Sequence, residues 1–124
     1  MTAKRASILG VGLILVIWIG YLMLFSESAR LEQASGYYKQ GQWEQARAKC
    51  EQLTQPSFSY YAQGMGHFWL AEMALQEQDF ETAETEVVLS LVNLQQARQN
   101  YHLGQTLDLQ RAAELQGLIA LAPF

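Results

Sequence analysis

Apolar and polar positions divide the chain near residue 25. Ala6–Phe25, "ASILGVGLILVIWIGYLMLF", carries no charged residue. From Ser26 onward, apolar residues recur at spacings of three and four with polar residues between them, and no strand-like alternation of useful length appears. Leu31, Ala34 and Tyr38 mark one face of a first helix, which can continue from the apolar run. Gly36 weakens it and Gly41 ends it. Trp43, Ala46, Cys50 and Leu53 form the stripe of a second helix, and Pro56 and Ser57 punctuate. A third helix over 58–77 shows Tyr61, Gly64, Phe68, Ala71, Ala74 and Leu75. Asp79 suits the N-cap of a fourth, with Phe80, Ala83, Val87, Leu91 and Leu94 as its stripe. A last helix over 101–121 is apolar at Leu109, Ala112, Leu115 and Ile119 and ends at Ala122-Pro123. Short connections imply antiparallel packing of neighbours.

The apolar run sets the first expectation. About 20 uncharged residues at 1.5 Å each span roughly 30 Å, the depth of a bilayer's hydrocarbon core. It therefore reads as a transmembrane anchor, residues 1–25, ahead of a polar helical domain, residues 26–124. Trp18 and Tyr21 would lie toward the membrane interface. The alternative is a cleaved secretory signal, with Lys4 and Arg5 before the run and "SES" at 26–28 after it. Such signals have shorter apolar segments, about 7–15 residues. Lys4, Arg5 and the N-terminal amine favour a cytoplasmic N-terminus and an exported C-terminal domain, by a margin of about one charge against Arg30 and Lys39. Ala6 and Gly10 form a small-xxx-small pair of the kind found at helix contacts in lipid.

Two pairs of helices share a pattern. Ala34, Gly41, Trp43, Ala46 and Cys50 correspond to Ala71, Gln78, Phe80, Ala83 and Val87, at a constant offset of 37 residues. This resembles the tetratricopeptide (TPR) repeat, a helix–turn–helix unit of about 34 residues. The resemblance covers residues 28–95. Gly41 fits the turn position and Gln78 departs from it. The family's early Trp and Leu positions fall on Arg30 and Gln33, then on His67 and Leu70, of which Leu70 alone matches. The closing Pro is missing from the second pair and Pro56 comes early in the first. An ordinary helical hairpin bundle is the competing reading. The resulting expectation is an all-α chain: a transmembrane helix followed by a small TPR-like antiparallel hairpin array, about five helices in all.

The resemblance implies a partner on the concave surface, lined by the first helix of each pair. Those positions are Leu31, Ser35, Tyr38 and Lys39, then Phe68, Glu72, Leu75 and Gln76, with Tyr38 and Phe68 as aromatic anchors or, equally, core residues. Two repeats are fewer than the three usually needed to bury a common core, so a protein partner, one associated with a membrane, or self-association is expected to cover the ends. The bilayer itself would be met through residues 6–25.

Charge and chemistry narrow the function further. Beyond Lys4 and Arg5 the chain holds 6 basic and 12 acidic residues, which argues against a nucleic-acid surface and a polybasic grip on lipid. Glu72, Glu77, Asp79, Glu81, Glu84 and Glu86 form an acidic stretch without Lys or Arg, either a solvated face or a patch for a basic partner. "FSYYAQGMGHFW", 58–69, places Gly64 and Gly66 in a helix at a cost of about 1 kcal/mol each, which points to close helix approach or to a contact surface where backbone comes near a partner. His67 and His102 belong to no metal-spaced cluster, and the single Cys50 reads as a buried thiol. No phosphate loop, nucleophile elbow or HExxH motif occurs, so no cofactor and no enzymatic activity are expected. The function expected is a membrane-anchored interaction module, an adaptor or assembly factor. The alternative is a permanent small subunit of a respiratory, photosynthetic or secretion complex.

Overall fold

The computed structural model describes residues 2–100 and 106–121, with the side chains of 10–19, 27–99 and 108–121. The described residues form five helices: α1 (Thr2–Lys39), α2 (Trp43–Leu53), α3 (Tyr60–Gln76), α4 (Phe80–Asn100) and α5 (Thr106–Ala120). The helix ends follow local chemistry. Ser59 caps α3, its hydroxyl accepting from Ala62 N at 3.2 Å, and Glu27 accepts from Ser59 N at 2.7 Å. Asp79 caps α4, accepting from Thr82 N at 3.3 Å. The last helix was expected from 101; residues 101–105, including His102, lie outside the described residues, as does Pro123.

The two hairpins α1–α2 and α3–α4 turn in the same way. Gly41 has φ 75° and Gln78 has φ 61°, both left-handed. Gln42 N donates to Tyr37 O and Gly41 N to Tyr38 O. Asp79 N donates to Ala74 O and Gln78 N to Leu75 O. This double bond pattern is the Schellman closure of a helix C-terminus. Every one of these positions, and the helix ends Lys39/Gln76 and Trp43/Phe80, recurs at the 37-residue offset. So does burial: Ala34 and Ala71, Ala46 and Ala83, Cys50 and Val87 are all fully buried.

Helix α3 is the hub. It packs against α1, α2, α4 and α5, whereas α2 and α4 make no contact with each other among the described residues. Its buried residues run almost around the helix: Ala62, Met65, Phe68, Trp69, Ala71, Met73 and Ala74, together with both glycines. The glycines serve opposite neighbours. A Cβ on Gly64 would meet Leu94 Cγ of α4 at 2.7 Å, and one on Gly66 would meet the Cys50 carbonyl oxygen of α2 at 2.9 Å. The approach to α4 is sealed by Ser90, fully buried, whose hydroxyl donates to Gly64 O at 2.7 Å.

The expected transmembrane helix is not upheld. Among the described residues, no helix is long and apolar enough to cross a membrane. A crossing needs about 20 apolar residues. α1 does not end with the apolar run but continues past residue 25 into the polar, packed segment that ends at Lys39. The single-pass assignment, the bilayer contact through residues 6–25 and the membrane localisation with its orientation are corrected accordingly. The interface role of Trp18 and Tyr21 goes with them. Trp18 is 59% exposed on α1, and the side chain of Tyr21 lies outside the described residues, as does that of Ala6. The all-helical class stands.

Candidate interaction face

The first helices of the two hairpins, with α5, form one continuous face. Tyr38, in the last turn of α1, donates its hydroxyl to Glu72 of α3 and so joins the hairpins. The Tyr38 ring is held edge-on by Trp43, centroids 5.5 Å apart at 67°. Along the same side of α3, Arg111 of α5 lies 5.4 Å over the Phe68 ring, and Tyr61 donates to Asp108 of α5 at 3.1 Å. The sequence reading did not single out Arg111, Asp108 or Glu77 for this face. No sequence spacing relates α5 to α3, since the contact depends on how the chain returns.

Burial, reinforced by the bond to Glu72, raises the Tyr38 hydroxyl well above the usual phenol range, with Arg111 opposing. Burial also pushes Tyr61 up to about 12, with Asp108 adding to the effect. Both therefore remain protonated donors at neutral pH, and both carboxylates accept.

The expected partner residues occupy different depths. Lys39 and Gln76 are exposed; Ser35, Tyr38 and Glu72 are half-buried. Leu31 and Leu75 are partly buried against the core, and Phe68, only 3% exposed, is a core residue beneath Arg111. Of the expected set, Tyr38 and Glu72 are in direct contact. At the turn end of the face a cleft of about 210 Å³ opens between the hairpins, lined by Trp43, Met73, Gln76 and Glu77. Trp43 is 41% exposed there, and Met73 forms a buried floor.

The acidic stretch is divided among separate tasks. Glu72 accepts from Tyr38, Glu77 pairs with Arg47, Asp79 caps α4, and Glu86 lies 2.5 Å from His67 Nδ1. Glu81 and Glu84 are exposed. Arg47, Glu51, His67, Glu77 and Glu86 also border a recess of about 330 Å³ between α2, α3 and α4. Among the described residues, no group of three His, Cys, Asp or Glu side chains is placed to hold a metal ion. Cys50 is fully buried, and burial, with Glu51 beside it, pushes its thiol up to about 12. A thiol so placed is a poor nucleophile. No family model, curated protein or solved structure matches the chain.

Proposed function

We propose that the chain is a protein-interaction module of the TPR-like kind, an adaptor or assembly factor that receives a segment of a partner protein on the face built by α1, α3 and α5. One observation carries this reading. The turn of the first hairpin is reproduced at a 37-residue offset in the second, so that Tyr38 of one unit meets Glu72 of the next. Stacked units of this kind form extended concave surfaces suited to a peptide. Lys39 and Gln76 are accessible on that face, and Tyr38 and Glu72 form its half-buried floor. No residue is assigned a catalytic role.

The test is site-specific photo-crosslinking in cells that make the full chain. A photoreactive residue at Lys39 or Gln76 should capture a discrete protein, and one at the exposed Glu81 or Gln95 of α4 should not. Equal capture at all four positions, or none at Lys39 and Gln76, refutes the assignment.

A second reading has its own support. Val11 and Leu13–Ile19 of α1 are each 53–67% exposed, forming an apolar rod clear of the core. A helix apolar on all sides is ordinarily buried inside a larger body. That favours a permanent small subunit of a larger assembly. Mass determination of the intact native assembly decides: a fixed stoichiometry at every concentration supports the subunit, and a dissociable complex supports the adaptor.

A further inference from the structure

Resting on the interaction-face reading above, we propose that the cleft beside Trp43 takes a cationic side chain, lysine or arginine, from the bound partner. The walls supply what such a group needs. Trp43 presents an indole that is 41% exposed and already oriented by its edge contact with Tyr38. Trp is the strongest of the aromatic rings for a cation over its face. Met73, 2% exposed, gives an apolar floor for an aliphatic stem. Gln76 offers an amide oxygen at the rim, and Glu77 a carboxylate. An apolar stem capped by a charge fits such a mixed lining.

The protein itself shows that this carboxylate accepts a cation. Arg47, one turn after Trp43 on α2, reaches across to Glu77 Oε1. Among the described residues the Glu77 carboxylate makes no other hydrogen bond, so its second oxygen remains available. Arg47 is 42% exposed, and Glu77 55%, at side-chain level. An exposed pair of this kind is weak and exchangeable. Arg47 is therefore an internal competitor, and an incoming lysine or arginine would share or displace it. The wider charge agrees: beyond Lys4 and Arg5 the chain holds 12 acidic and 6 basic residues, and Glu72 stands on the same face. Complementary charge of this sort selects the partner and speeds encounter.

The probes are capped tripeptides, acetyl-Gly-Xaa-Gly-amide with Xaa lysine, arginine, norleucine or glutamate, titrated into the full chain carrying 13C-methyl methionine. The reporter is the Met73 methyl resonance, assigned by its loss in Met73→Leu. Lysine and arginine peptides should shift it saturably, and norleucine and glutamate peptides should not. Arg47→Gln should tighten lysine binding about two- to fivefold, the range that an exposed ion pair is worth. Glu77→Gln should weaken it, and Trp43→Leu should abolish the shift. If Trp43→Leu does not fold, the two charge variants still decide. Norleucine acting as well as lysine, a flat titration with both cations, or no response to Arg47→Gln overturns the proposal. Specific crosslinking at Lys39 and Gln76 with a flat lysine titration would sink this inference and leave the interaction face intact. Loss of that crosslinking would remove the face itself.

Discussion

Gln78 occupies a backbone conformation that suits glycine, and replacing it with glycine should stabilise the protein. At φ 61° a side chain crowds the adjoining carbonyl, at a cost of about 1–2 kcal/mol for an L-residue. Glycine removes that cost but loosens the unfolded chain by about 0.4–1 kcal/mol. The balance for Gln78→Gly is a gain of about 0.5–1 kcal/mol. Gln78 is exposed, so no packing is lost. Gly41 is the mirror experiment. A Cβ there would meet nothing within 4 Å, so Gly41→Ala isolates the φ 75° strain and should lose a similar amount. The pair is best read by urea and thermal unfolding of the full chain followed at 222 nm, where the shifts should be roughly 2–4 °C in opposite directions. If Gln78→Gly lowers stability, or Gly41→Ala is neutral, the two turns are not equivalent. The 37-residue register would then lose its physical basis.

Three further outcomes are expected. Gly66→Ala should destabilise by about 1–3 kcal/mol, because its Cβ would meet the Cys50 carbonyl oxygen at 2.9 Å. Gly36→Ala and Gly117→Ala, with nothing within 4 Å, should instead stabilise by up to about 1 kcal/mol, and denaturant midpoints separate the two signs. Cys50 should be labelled by iodoacetamide at pH 8 only as fast as the protein opens; rapid labelling under native conditions would contradict its burial. Stability should fall at alkaline pH. Tyr61 ionises at about 12 when folded and near 10 when unfolded, and Tyr38 is shifted in the same direction. The stabilisation is thus complete below pH 10 and lost as pH rises through 12, because the unfolded state gives up its protons first. Absorbance at 295 nm should show late-titrating tyrosines, and a single ordinary transition for all six would contradict this.

The chain's local spacing determined the helices. Apolar residues at three and four, Gly41 after α1 and Asp79 before α4 fixed where segments begin and end, because each acts through its own backbone or one turn of helix. The repeat register was equally legible, since Ala34, Ala46 and Cys50 recur as Ala71, Ala83 and Val87 in small buried positions. Tertiary structure decided the rest. A stripe reading gives α3 one buried face and omits Met65, Trp69 and Met73, which are buried because α3 has neighbours on every side. Phe68 reads in the sequence equally as an anchor or a core residue, and it lies in the core with Arg111 of α5 over it. Gln78 carries no turn signal of its own; the packing of α4 on α3 holds it left-handed. The apolar run reads as a membrane span by composition, whereas no described helix meets the length and apolarity of a crossing. Periodicity encodes which residues share a helix face. What that face meets depends on contacts between residues 34 to 47 positions apart, such as Tyr38–Glu72 and Tyr61–Asp108, which no local pattern contains.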